Sequence, residues 1–430
     1  MKNILAVSIC ISLVMALGNL AIDAEEQITL RLSDWHLTEG VWNKPLKEAM
    51  DLFQQQHPSI KVILEPVTYA EKETKYLQGF EQHTAPDILR LHAFSLPLFS
   101  GKGYTLDLTP FLEKEGAAFL EPWYPLTLDL MKFEGKMHAM PGDYMVMILL
   151  YNTELFKAAG LDPLKPPKTW DEFLDYAQKL TRDTNGDGRI DQWGFGTVGA
   201  KDPGFTLRFS SFLWSFGGDY LTPDLKHSAL DSLEAKAAFT FFVELHTKHK
   251  VVPPGVTSMT PQEVRTQMAQ QKVAMILSSG WGVPLIDSLN PDLKAPDVLN
   301  AAPIPIKTEP MTTVWLSSWV ISAQTQHPEE AWELVKFVTT KEMELNWFVN
   351  TGVTSSRKDV SEVAPEILND KFASVIASQL PYGKVEPQIQ AWPEIIDTFT
   401  SSLQQAILGM KTPETALAEA HDHINAILAR

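Results

Sequence analysis

The sequence predicts an α/β fold in about two domains, with mostly parallel sheets flanked by helices, on three observations. Short apolar strands alternate with helices through its first hundred or so residues. Roughly 400 residues follow an N-terminal leader, more than one core usually serves. No single linker separates two halves, so the chain is expected to cross between domains more than once.

The leader is residues 1–24. Lys2 supplies a positive start, Ile4 to Leu17 is almost wholly apolar, and the stretch ends at small Ala24, the pattern of a cleaved secretory signal. No later apolar run approaches the roughly 20 residues of a spanning helix, so the mature chain is expected to be exported and soluble. The single cysteine, Cys10, lies inside the leader. A mature chain without cysteine that enters an oxidising compartment points to a bacterial periplasm and rests on its core alone. Losing the leader removes one lysine and one aspartate and leaves the net charge at −17. That argues against nucleic acid and anionic membrane surfaces as partners, since both need a basic face.

The elements follow in order. "ITLRLSDW" (Ile28 to Trp35) reads as a strand, and the next segment places Val41, Trp42, Leu46, Ala49, Met50 and Phe53 on one helical face before His57-Pro58 stops it. "IKVILEPV" is a second strand, Tyr69 to His83 a helix and "PDILRL" a third strand. This is βαβαβ, hence a parallel sheet. Ligands of such sheets sit beyond the carboxyl ends of the strands, which carry Asp34-Trp35, Thr68-Tyr69 and His92 to Phe94. Met145 to Tyr151 reads as one apolar strand, and "PPKTWDEFLDYAQKLT" as a helix with Thr169 as its N-cap. Helical blocks follow from Ser211, then "VAMILSSGWGVPLI" as a buried strand and a turn, two strands in "AAPIPIKTEPMTTVWLSSWVISA", and a mostly helical last 90 residues.

Seven stretches then occur in one order over nearly all of the mature chain: "MPGDYMVMILLYNTELFKAAGLDPLKPPKTWDEF", "DTNGDGRIDQWGFG", "VAMILSSGWG", "AAPIPIK", "SWVISAQTQHPEEAWELVKFVTTKE", "TGVTSSRKD" and "AILGMKTPETALAEAHDHINAIL". In this the chain resembles the family-1 extracellular solute-binding proteins of bacterial ABC importers, the maltose-binding-protein-like group that captures sugars. The resemblance implies a two-lobe periplasmic-binding-protein fold (type II-like), each lobe a mostly parallel sheet flanked by helices, with a multi-strand hinge. It places residues 25–142 and 307–340 in an N-terminal lobe, and 143–306 and 341–430 in a C-terminal lobe. It also implies a carbohydrate ligand in the cleft, a membrane permease as partner, a monomer and no cofactor. The departure is "WLSSW" at Trp315 to Trp319, where similar proteins often carry a glycine pair.

The chemistry of the side chains is compatible with that. A pyranose ring stacks an apolar face on an indole, and its hydroxyls need carboxylates, amides and guanidiniums. Twelve tryptophans are present. Trp35, Trp281 and Trp315 fall at strand ends or turns and Trp214 and Trp392 near loops, with core packing the competing role for each. Asp34, Asp87 and Asp143, with Tyr144 beside the last, sit where strands meet the cleft; for Asp87, after Pro86, turn capping competes. Arg357, a ligand candidate, matches by resemblance the arginine or lysine that follows "PS" in similar proteins, and a solvated surface arginine is the alternative. Many aromatics favour a di- or oligosaccharide such as an α-glucoside. A polyol or glycerol phosphate is the alternative ligand, though the net charge disfavours an anion unless the cleft is locally basic.

No G-x-S-x-G elbow, H-E-x-x-H helix or Walker loop occurs in the sequence, so no enzyme is expected. A secreted glycoside hydrolase, which needs two carboxylates across a bond, is the rival class. "DTNGDGRIDQWG" spaces Asp183, Asn185 and Asp187 as the first half of an EF-hand loop. Its twelfth position is Gly194, where calcium needs a bidentate glutamate. The reading is an Asx- and Gly-rich turn, with calcium as the minor alternative.

Overall fold

A computed structural model describes residues 27–430; the leader, residues 1–24, and its Cys10 lie outside the described residues. Thirteen strands organise the described chain: β1 (Ile28–Asp34), β2 (Ile60–Pro66), β3 (Ile88–His92), β4 (Lys132–Phe133), β5 (Lys136–Met137), β6 (Met140–Val146), β7 (Ile148–Asn152), β8 (Trp193–Gly196), β9 (Val273–Ser278), β10 (Leu299–Ala302), β11 (Thr312–Ile321), β12 (Thr354–Ser355) and β13 (Gly383–Lys384). They form a seven-stranded sheet ordered β12-β6-β11-β3-β1-β2 with β13 beside β11, a four-stranded sheet ordered β10-β7-β9-β8, and the small hairpin β4-β5. Helices flank both large sheets, the α/β architecture read from the sequence. No described helix is long and apolar enough to cross a membrane.

One expectation is corrected. The sheets are mixed, not mostly parallel. The βαβαβ opening does give parallel β1-β2 and β1-β3 pairs, but β11 enters antiparallel between β3 and β6. In the second sheet β7 runs antiparallel to both β10 and β9, and only β8-β9 is parallel. The cause is the connectivity. Met145 to Tyr151, read as one strand, is β6 and β7 with only Met147 between them, and each half belongs to a different sheet. A strand that continues straight from one sheet into the next arrives without a crossover helix to set a parallel direction. The return, residues 303–311, joins β10 of the small sheet to β11 of the large one.

Burial explains why these segments form these elements. All ten residues of β11 are buried, as a strand paired on both edges and covered on both faces must be. The helix Gly40–Gln56 buries Trp42, Leu46, Ala49, Met50 and Phe53, the predicted face except for Val41, which is only partly buried. The Thr169 side chain accepts from the Glu172 N–H at 3.1 Å and starts the helix Trp170–Leu180. That helix lies on β8 at a place where only glycine fits: a Cβ on Gly194 would meet the Ala177 carbonyl oxygen at 2.1 Å.

Two candidate ligand tryptophans belong to this core instead. Trp214 is buried and donates from Nε1 to Asp219 at 3.0 Å, and Trp392 is fully buried against Tyr220, donating to Glu386 at 3.3 Å. Burial pushes the Glu386 carboxyl up to about 7, and its other oxygen has no hydrogen-bond partner among the described residues.

Two stability predictions follow from this packing. Gly194→Ala is expected to cost about 1–3 kcal/mol, as overpacking against rigid backbone does, read as a lower urea midpoint with an unchanged slope. Glu386 binds its proton more tightly folded than unfolded, so its contribution is full at low pH and is lost as pH rises through about 7. Glu386→Gln is therefore expected to raise the melting temperature at pH 8 relative to the parent chain, with the gain shrinking toward pH 4.5.

Candidate functional site

A cavity of about 530 Å³ lies between the two large sheets, within the roughly 300–1,000 Å³ range of small-molecule sites. One wall comes from the carboxyl ends of the first sheet, where β1 runs into Trp35 and His36 and β2 into Thr68 and Tyr69, together with Met145 of β6 and Trp315 of β11. The start of the helix Gly40–Gln56 adds Glu39 and Trp42. The facing wall comes from three helices: Pro203–Ser215 gives Arg208, Pro261–Ala269 gives Arg265, and Gly282–Leu289 begins just after Trp281. Asp202 caps the first of these.

The first wall is an aromatic corner. Trp35 and Tyr69 meet edge to face at 5.9 Å, and Tyr69 lies 6.4 Å from Trp315. Trp315 is held by its Nε1, which donates to His92 Nδ1 at 2.7 Å. Burial, with the nearby Lys72 charge, keeps the His92 imidazole well below its usual range, so a neutral ring is there to accept. Lys72 is wholly buried. Its ammonium sits 3.9 Å from the Tyr69 ring centroid, donates to the Tyr69 carbonyl at 2.9 Å and pairs with Glu73 at 3.1 Å.

The facing wall is polar and cationic. Arg208 donates from Nε to the Leu277 carbonyl at 3.1 Å and from Nη1 to the Gly204 carbonyl at 2.6 Å. The Arg265 guanidinium lies 4.7 Å from the Trp281 ring centroid. Three buried polar atoms around the cavity have no partner among the described residues: Tyr69 Oη, Trp281 Nε1 and Arg265 Nη1. Buried donors are normally paired, so their pairing is left to whatever enters. The Trp281 turn is set by glycines. A Cβ on Gly280 would meet the Gly352 carbonyl oxygen at 2.6 Å, and Gly352 itself has φ +70°, so two backbones touch directly beneath the indole.

Behind the aromatic corner lies a charged layer. Arg90, from the middle of β3, pairs with Asp143 of β6, lies 3.9 Å from Asp34 at the end of β1, and donates from Nε to Ser317 of β11 at 3.0 Å. Its guanidinium also covers the Trp319 ring at 4.0 Å. Asp34 accepts from the His36 backbone at 2.9 Å and ring at 2.8 Å. Burial works to raise its carboxyl, but His36 and Arg90 outweigh it and the net shift is downward. Glu344 closes the layer, accepting from Ser355 at 2.7 Å, and burial pushes it up to about 7.

Of the residues singled out in the sequence, the structure brings Trp35, Trp281 and Trp315 to the cavity. Asp34 and Asp143 stand one layer back, orienting His36 and Arg90. Tyr144, next to Asp143, turns to Tyr124 at 6.4 Å, and burial pushes its hydroxyl up to about 12. Asp87 is a backbone clamp: it accepts from the Arg31 N–H at 2.9 Å and the Thr325 hydroxyl at 2.6 Å. Arg357 lies elsewhere, bidentate to Asp359 at 3.0 and 2.9 Å and over the Trp123 ring. With Trp214 and Trp392 in the core, these are not cavity residues.

In the loop, Asp183 accepts from the Gly186 and Gly188 N–H groups, Asn185 from that of Asp187, and Asp187 from that of Arg189. No group of three or more metal-binding side chains occurs among the described residues.

Sequence reasoning missed His36, Tyr69, Arg208 and Arg265. Tyr69 had the right address, after a strand's carboxyl end. Arg208 also carried a signal: it is the one charge in "PGFTLRFSSFLWS", an otherwise apolar and hydroxyl-bearing helix that is buried from Gly204 to Ser215, where a charge needs a reason.

The chain matches the family model of the bacterial extracellular solute-binding proteins over residues 37–344. Its fold is similar to that of an ABC transporter solute-binding protein from Thermotoga lettingae bound with alpha-D-tagatose, with a TM-score of 0.85 and 28% identity over 93% of this chain and 100% of that one. It is similar also to maltose-bound MalE3 of T. maritima, at a TM-score of 0.83 and 25% identity over 93% and 100%. In sequence it is 23% identical over 440 residues to the sn-glycerol-3-phosphate-binding periplasmic protein UgpB of Escherichia coli, covering 97% of this chain and 96% of that protein. A cavity walled by aromatics and unpaired donors between two sheets, in a chain that matches this family over most of its length, makes it a member of the bacterial extracellular solute-binding proteins, the binding subunits of ABC transporters.

Proposed function

We propose that the protein captures a polyhydroxylated solute, a sugar or polyol, in the cavity between its sheets and delivers it to the permease of an ABC importer. The observation that carries this is the pairing, around one cavity, of the corner formed by Trp35, Tyr69 and Trp315 with the buried, unpartnered donors Trp281 Nε1 and Arg265 Nη1. Indole faces take the C–H side of such a ligand and the free donors take its oxygens. That three relatives are named for tagatose, maltose and glycerol 3-phosphate supports the same class. The case for a long oligosaccharide narrows, because only Trp35, Trp42, Trp281 and Trp315 among the twelve tryptophans line the cavity.

The reaction is binding alone. The acids of the wall, Glu39 and Asp202, are read as hydrogen-bond acceptors for hydroxyls rather than as a hydrolytic pair. We place the hinge at Met147 and at residues 303–311, where strands of one sheet lead directly into strands of the other. The protein is read as a periplasmic monomer, exported by its leader.

Trp281→Phe, which keeps most of the packing of this buried ring and removes its unpaired Nε1 donor, is expected to weaken binding of the preferred ligand by about tenfold or more with only a modest fall in melting of the ligand-free protein. Calorimetry and thermal melting check the pair, and a large fall in melting would instead make Trp281 a core residue. Saturating ligand is expected to compact the protein by hinge closure; small-angle scattering with an unchanged radius of gyration would count against capture by closure. Chromatography of the ligand after incubation is expected to return it intact, whereas released monosaccharide would favour a hydrolase.

A further inference from the structure

The cavity also carries a sign of charge, and on the capture reading above that sign names the ligand more closely. Two guanidiniums in the facing wall lack a direct ion pair, with Asp202 and Glu39 acting on them only from a distance. Arg208 is 2% exposed and spends its Nε and Nη1 on backbone carbonyls; Arg265 is 6% exposed, lies against Trp281, and its Nη1 has no partner. Neither forms an ion pair among the described residues. Burial first, and then the adjacent Arg265 charge, bring Arg208 down to about 10, so two cations face one small space and repel each other while both stay charged at neutral pH.

Two acids lie near them without forming an ion pair to either. Asp202 is engaged by the Gly204 N–H, which it accepts at 2.7 Å; burial raises its carboxyl, while that bond and the Lys72 and Arg208 charges act the other way. Glu39 stands on the opposite wall, at the start of the helix Gly40–Gln56. Lys72 is already paired with Glu73. A buried charge without a partner is costly, and the other unpaired atoms around it, Tyr69 Oη and Trp281 Nε1, can both donate.

We propose that this wall is an oxyanion subsite: Arg208 and Arg265, with Tyr69 and Trp281, receive a carboxylate or phosphate carried by a polyhydroxylated ligand whose hydroxyls face Glu39. Guanidinium forks suit both oxyanions, and bonds between charged partners are the stronger kind.

The experiment is calorimetry on the mature chain with matched pairs: glucose against glucuronate, maltose against maltobionate, glycerol against glycerol 3-phosphate, and inorganic phosphate alone. The acidic member of at least one pair is expected to bind about tenfold or more tighter than its neutral partner, with the preference shrinking as salt rises. The carboxylate and phosphate pairs tell the two sources apart. Arg265→Gln and Arg208→Gln are each expected to lower affinity for the acidic member more than for the neutral one. Should either glutamine variant fail to fold, Arg265→Lys, which keeps the charge and loses the fork, is expected to retain only part of the preference. Neutral members binding as well as or better than acidic ones would overturn the subsite and leave capture of a sugar or polyol standing. Inorganic phosphate binding as tightly as glycerol 3-phosphate would overturn the polyhydroxylated part of the ligand. No binding by any compound tested would overturn both readings together.

Discussion

The structure depends on one buried guanidinium. Arg90 reaches from β3 to Asp143 of β6, to Asp34 of β1 and to Ser317 of β11, and lies on Trp319 of the same strand. Three of these four strands are brought to one place from three distant parts of the sequence. A buried ion pair stabilises only where geometry and extra hydrogen bonds satisfy every lone pair, and removing one partner costs about 3–5 kcal/mol because the other is left charged. The layer is therefore better read as a device for specificity of arrangement than as a source of net stability. It requires that β11 lie between β3 and β6, and so that Trp315 face the cavity.

The same strands that change sheets also carry the site. β6 supplies Met145 two residues before the Met147 crossing, and β11 supplies Trp315 shortly after the return through residues 303–311. A hinge proposed at those segments would therefore move the aromatic corner against the arginine wall. Where a hinge and a binding wall share strands, ligand contacts made across the gap bias the hinge directly. No relay through distant residues is needed. The "WLSSW" segment fits this: it runs as continuous strand with a register shift between Leu316 and Ser318 against β6. Trp315 goes to the cavity and Trp319 to Arg90.

What was legible in the sequence was what local periodicity encodes. The alternation of apolar strands and helices gave the βαβαβ opening, and Thr169 and His57 marked helix ends because capping is a property of a few neighbouring residues. The split at Met147 was not legible, since seven apolar residues in a row look alike whether they serve one sheet or two. The tryptophans divided the same way. Trp281 and Trp315 follow or interrupt strands and reach the cavity, while Trp214 and Trp392, equally near loops, are claimed by Asp219 and Glu386, partners that only the tertiary fold supplies. Asp34 and Asp143 were expected to meet the ligand and instead stand one layer behind the cavity wall, because their partner Arg90 lies in the middle of a strand and gave no sign of which side it served.

Net charge misleads for a related reason. A total of −17 describes solvated side chains spread over a large surface, where they are screened over about 8–10 Å in physiological salt. Inside the cavity the potential is set by the few groups that water does not reach, and there two arginines, Arg208 and Arg265, share their wall with one acid, Asp202. A strongly acidic protein can thus hold a locally cationic pocket. An anionic ligand then pays an approach penalty in the outer field that falls with salt, while the short-range bonds inside are screened far less. Association and residence are governed by different charges, and the sequence total speaks only to the first.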